Sequence, residues 1–170
     1  LAHQMAVFGG LPETYGLVAC DRGMIDRLGV RHPEFVKFRK SKRGAREIQG
    51  TDILICSQFC PSSVVARRRC FDTCGFFDTE LRSSEDRDMW LRIAEKWRLL
   101  CTEKVLCFAR KHGDNMSANA RRMKQNTMKV LASARARMPE QGRGPFFWRR
   151  VFAFAHFQAA WMQYESGHRF

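Results

Sequence analysis

The chain has 170 residues, enough for one domain, and its 45% apolar content supplies a core. No uninterrupted apolar run approaches the roughly 18 residues needed to span a bilayer, and a formal net charge of +13 calls for an anionic partner. Seven cysteines are an odd number, and the pairs Cys56 and Cys60, Cys70 and Cys74, and Cys101 and Cys107 lack the two-residue spacing of zinc knuckles, so reduced, partly buried thiols of a cytosolic protein are expected. The opening Leu1-Ala2-His3-Gln4 has no initiator Met and no basic segment ahead of an apolar stretch, and it reads as the start of a piece of something longer.

In chain order, residues 15–20 form a short apolar run followed by Asp21-Arg22-Gly23, a strand entering a turn, and residues 25–29 close a polar hairpin or loop. Residues 32–50 carry Lys37, Arg39, Lys40, Lys42, Arg43 and Arg46 with little apolar periodicity and read as a mobile surface loop. Residues 53–56 begin the next packed element, and residues 62–66 are a strand because Val64 and Val65 favour a pleated, buried surface. Gly75 then permits a sharp turn, Phe76 and Phe77 are expected to anchor it in the core, and the polar run to Ser84 is a loop. Met89, Ile93 and Trp97 fall at i, i+4 and i+8, with Trp90 and Ala94 alongside, which predicts a helix fixed by one apolar stripe. Residues 98–108 alternate well enough for a strand or hairpin, and residues 118–137 form a basic helix. Gly142-Arg143-Gly144-Pro145 breaks that helix, and residues 146–164 make a final aromatic-rich one. The pattern is α/β followed by two terminal helices, without an internal repeat.

Glu85 and Asp86 stand where the loop becomes a helix. Ser83 to Asp86 matches a Ser-x-x-acid capping pattern, and Glu85, Asp86 and Asp88 all complement the dipole of the first turn, so capping is one reading and chemistry the other. Asp86-Arg87-Asp88 is a formal Asp-x-Asp match, but residues i and i+2 of a helix point about 200° apart and do not readily clasp one ion.

Five fragments in order carry a resemblance: Pro61-Ser62-Ser63-Val64-Val65, Arg67-Arg68-Arg69, Gly75-Phe76-Phe77-Asp78, Glu85-Asp86 with Met89-Trp90-Leu91-Arg92, and Phe108-Ala109-Arg110-Lys111-His112 with Asn115 and Ser117. Together, over residues 15–117, they resemble the second half of the catalytic domain of family 2 glycosyltransferases, which have the GT-A fold. The resemblance implies a partial GT-A-like, Rossmann-like mixed sheet lacking its nucleotide-binding half, with residues 1–117 the acceptor-side half and residues 118–170 a helical extension. It implies inverting transfer of a sugar from a nucleotide-sugar donor to a saccharide or lipid-linked acceptor, as in making cell-envelope polysaccharide, and a chain inactive alone. By resemblance Asp86 is the general base and Glu85 its helper, Ser62, Ser63, Arg92, Arg110 and Lys111 meet the substrate or its diphosphate, and His112 is a metal ligand. Mn²⁺ or Mg²⁺ is the implied cofactor, with most ligands outside this chain, and the implied location is cytoplasmic, peripheral at the inner face of the membrane.

Two other classes compete. A nucleic-acid-binding module would use the charge with Phe and Trp residues for stacking, but no zinc finger, Gly-x-x-Gly clamp or aromatic RNA-binding signature organises them, so no specific nucleic acid is expected. A catalytically silent interaction domain would keep the fold without the chemistry. An anionic membrane surface is a further candidate partner, because Arg149 and Arg150 lead into a helix rich in Phe and Trp beyond an acid-free basic stretch.

Overall fold

A computed structural model describes residues 1–32, 44–110, 119–138 and 144–165. The fold is mixed α/β. In order the elements are α1 (Ala2–Gly9), β1 (Tyr15–Ile25), β2 (Arg31–His32), β3 (Ala45–Ile48), α2 (Gly50–Ile55), β4 (Val64–Ala66), α3 (Arg68–Cys74), α4 (Glu85–Ala94), β5 (Arg98–Arg110), α5 (Ala120–Arg137) and α6 (Phe147–Glu165).

Strand β1 is the hub of a five-stranded sheet. It runs parallel to β5 along its whole length, while β4 lies antiparallel to its first half and β2 to its last two residues. Strand β3 closes the far side of β5 in antiparallel register. Alternation along the central strands divides the interior: Leu17, Ala19, Leu99 and Cys101 enter the larger core with residues of α2 and α4, whereas Val18 meets Phe8 of α1 on the opposite face, joined there by Tyr15 across the irregularity between Tyr15 and Leu17. Val130, Leu131 and Ala134 of α5 and Trp148, Val151 and Ala155 of α6 enter the same larger core, so the terminal helices share their interior with the sheet.

Several expectations change. Strand β1 does not turn at Asp21; its register with β5 shifts on either side of that residue and the strand continues to Ile25. The continuation has a physical reason in β5, itself one unbroken strand, whose residues to Arg110 keep the polar half of β1 paired, and the Arg31 guanidinium lies over the Phe108 ring at 4.5 Å. Of the expected loop over residues 32–50, residues 33–43 lie outside the described residues, and Ala45–Ile48 is strand β3, held by Ile48 in the core and by Arg98 nitrogens 2.7 and 2.6 Å from the two Glu47 carboxylate oxygens. Residues 62–66 divide into a 3₁₀ turn, Pro61–Ser63, and the short β4.

Gly16 lies where α3 meets the sheet. Its carbonyl accepts the Arg67 N–H at 2.8 Å and the Cys70 Sγ–H at 3.3 Å, and a Cβ there would stand 2.5 Å from Cys70 Sγ and 2.7 Å from Trp97 Cβ. Gly16→Ala should therefore destabilise the fold by about 1–3 kcal/mol in urea unfolding. Gly9→Ala, where nothing lies within 4 Å of the new Cβ, is the control and should cost nothing.

Candidate functional site

Helix α4 owes its position to its own side chains. Met89, Trp90, Leu91 and Ile93 are buried, and Phe77 packs edge-on against Trp90 at 5.9 Å between ring centroids. Phe76 does not anchor the turn as expected: it stacks on Phe71 at 5.9 Å but stays 73% exposed. The turn is secured instead by Gly75, whose φ of 76° suits glycine, and by Arg92. The Arg92 guanidinium donates from Nη1 to the Cys74 carbonyl, from Nη2 to the Phe76 carbonyl at 2.8 Å, and from Nε to Asp88 Oδ2 at 2.8 Å. Each of its three nitrogens thus serves the protein's own backbone or Asp88, which makes Arg92 a positioning residue.

The capping box expected from Ser83 to Asp86 does not form. Ser84 is the N-cap, in the left-handed region at φ 61°, and makes no side-chain capping bond. The Ser83 hydroxyl is drawn the other way, toward α5, where it lies 3.5 Å from the Arg122 carbonyl. There the buried amide of Asn126, with its oxygen toward the loop, accepts from Ser83 Oγ at 3.0 Å and from the N–H groups of Arg82 and Ser83 at 3.2 and 3.0 Å. Ser84 Oγ and Thr127 Oγ1 are 3.2 Å apart, a second tie to α5. The loop entering the acid pair is therefore hung from α5.

Asp86 Oδ1 accepts the N–H of Arg87 at 2.7 Å. Burial pushes the Asp86 carboxyl above the ordinary aspartate range, and the charge of neighbouring Glu85 adds to the rise, while the Arg87 N–H and the charges of Arg22 and Arg87 oppose it. Arg22 is on β1, in the segment that continues past the expected turn, so the length of β1 is what brings its charge within electrostatic reach of Asp86. Asp88, two residues on, faces elsewhere: it pairs with Arg92 and lies 3.8 Å from Arg137 Nη2.

The other sequence candidates disperse. Ser63 is fully buried, its hydroxyl donating to the Cys60 carbonyl at 2.8 Å, while Ser62 is exposed on the 3₁₀ turn. Arg110 Nη1 donates to the carbonyls of Asp26 and Arg27 at 3.1 and 2.9 Å, closing the β1–β2 hairpin. Lys111 and His112 lie outside the described residues. The seven cysteines are free thiols, and burial pushes Cys70 up to about 11 and Cys101 and Cys107 up to about 12, so these are protonated and poor nucleophiles. Among the described residues no group of three or more His, Cys, Asp or Glu side chains is placed to hold a metal ion. Compared with known proteins, the chain matches no family model, no curated protein and no solved structure.

What the geometry brings together is Glu85, Asp86 and Arg22, supported by Arg87, Arg92 and Asn126. Arg22 and Asn126 escaped the sequence reading. Arg22 sat in an apparent turn, and Asn126 lay in a helix read only for its charge; the one available signal was a polar amide among apolar neighbours Met123, Val130 and Leu131.

Two outcomes follow for stability. A carboxyl whose proton affinity rises on folding holds more proton in the folded chain than in the unfolded one between the two pKa values, so stability falls as pH rises through that window. Asp86→Asn should accordingly melt higher than the parent near neutral pH, with the gap closing as pH drops below the ordinary aspartate range of about 4. Asn126→Ala should lower stability by about 1–3 kcal/mol, since it removes the buried amide that ties buried Ser83 and the Arg82 N–H to α5; chemical denaturation checks it.

Proposed function

We propose that this chain is the acceptor-side half of a GT-A-type, family 2 glycosyltransferase catalytic domain, acting on a nucleotide-sugar donor with Asp86 as general base. The observation that carries this reading is the half-buried carboxylate at the start of α4, with its proton affinity raised and its helix positioned from α2, α5 and the Gly75 turn. A base works best when its pKa approaches the working pH, which desolvation promotes, yet it must be ionised beforehand, which the helix N-terminus and Arg22 favour. The site also lies near the carboxyl ends of the parallel pair β1 and β5, the side on which open α/β sheets receive ligands.

In the proposed reaction the acceptor hydroxyl oxygen bonds to the anomeric carbon from the face opposite the nucleoside diphosphate. The bond from that carbon to the diphosphate oxygen breaks, and Asp86 takes the hydroxyl proton. Glu85 orients the acceptor. The leaving diphosphate needs charge neutralisation more than a proton, so no second acid is required. The described residues do not make up a cation shell, Asp88 being held by Arg92 and Arg137. A divalent ion serving the diphosphate would draw its ligands from outside them, with His112 the candidate in this chain, and no step is routed through it here.

The test is nucleoside diphosphate release by the protein carrying this chain, across a panel of sugar nucleotides and saccharide acceptors. Asp86→Asn should lower kcat by about 10²–10⁴ while the fold persists. The acid limb of kcat/KM should lie above the ordinary aspartate range, and Arg22→Met should move it higher still, because Arg22 holds the Asp86 pKa down. Transfer by Asp86→Asn within a few-fold of the parent would sink the assignment.

A further inference from the structure

Helix α6 carries two faces of different chemistry. Trp148, Val151, Ala155 and Ala159 are buried in the molecule. At 100° per residue, Phe146, Arg150, Phe154, Phe157, Trp161 and Tyr164 fall within an arc of about 80° on another side. Phe157, Trp161 and Tyr164 are 63%, 53% and 66% exposed, and the rings run in pairs, Phe154 with Phe157 at 6.4 Å and Trp161 with Tyr164 at 5.9 Å. An aromatic stripe of this extent facing water calls for a partner.

The charge around the stripe specifies the partner. Arg149 and Arg150 stand at its N-terminal end. Toward its C-terminal end, but on another side of the helix, an open cavity of about 790 Å³ between α5 and α6 is lined by Arg121, Lys124 and Lys129 together with Gln163, which falls about 100° from the nearer edge of the stripe. Neither α5 nor α6 up to Tyr164 contains an acid. A second copy of the chain would bring the same cations, and a net charge of +13, against this face, so like-charge repulsion opposes self-docking. No described helix is long and apolar enough to cross a membrane. Aromatic residues flanked by cations, on a helix too polar to insert across, suit the boundary between headgroups and acyl chains.

We infer that the outer face of α6 is a docking surface for an anionic lipid bilayer. The helix lies in the plane of the interface, with Phe154, Phe157 and Trp161 among the acyl chains and Arg149 and Arg150 against lipid phosphates, while the Arg121–Lys124–Lys129 cluster adds to the positive field that draws the chain to the surface. This inference is independent of the transferase reading and would survive its failure.

The full 170-residue chain is mixed with vesicles of equal parts phosphatidylserine and phosphatidylcholine, and with vesicles of phosphatidylcholine alone, and followed by co-sedimentation and tryptophan fluorescence. The expected result is binding to the anionic vesicles that weakens with salt, with Trp161 quenched by brominated acyl chains and that quenching lost in Trp161→Phe. The double variant Phe157→Ser, Trp161→Ser, at exposed positions that leave the core intact, should bind at least about tenfold more weakly with unchanged far-ultraviolet circular dichroism. Arg149→Gln, Arg150→Gln, at exposed positions, should lose most of the preference for phosphatidylserine. Binding untouched by the aromatic double variant would overturn the proposal, as would absence of binding, or dimerisation in light scattering that the same double variant abolishes.

Discussion

One buried guanidinium sets the orientation of the site. Arg87, only 5% exposed, donates from Nε to the Ile53 carbonyl at 2.9 Å and from Nη2 to the Leu54 carbonyl at 2.7 Å. Those carbonyls belong to the last turn of α2, a helix of six residues whose end would otherwise leave acceptors unpaired in the interior. The cation meets the negative end of that helix and locks α4 against it. Burial lowers the guanidinium's pKa, but an arginine stays charged at any physiological pH. With Arg87 fixed inward, the 100° step of the helix decides where its neighbours go: Asp86 to one side, within reach of the Arg22 charge, and Asp88 to the other, onto Arg92.

The two aspartates on either side of Arg87 illustrate how environment separates residues of the same type. Asp88 has two arginines, Arg92 and Arg137, and through them ties α4 to the Gly75 turn and to α5. Asp86 is desolvated without an ion pair of that quality, and its raised proton affinity is a stability penalty held in place by the rest of the fold.

Helix α5 joins this site to the outer surface. Asn126 holds the Ser83 loop on one side and lines the basic cavity beside α6 on the other. The interior of the bundle is made from Val130, Leu131 and Ala134 against α6, so the acid pair, the basic cluster and the aromatic stripe are carried on one packed body.

The amino-acid pattern alone determined the elements whose signals are local. The apolar stripe through Met89 and Ile93 places α4, two terminal helices are expected and found as α5 and α6, and the Glu85–Asp86 pair stands at a loop-to-helix junction as expected. These are legible because periodicity and turn chemistry act over a few residues. Tertiary structure decided the rest. Strand β1 runs through Asp21-Arg22-Gly23 because β5, some eighty residues later, supplies its ladder partners, and only that pairing sets Arg22 near Asp86. Ser83 declines its capping role because Asn126 of α5 competes for it. Arg92 turns inward because the Cys74 and Phe76 carbonyls are offered by a turn folded back onto α4. In each case hydrogen-bond partners distant in sequence outweigh a local preference, since a buried polar group left unpaired costs more than a cap or a turn returns.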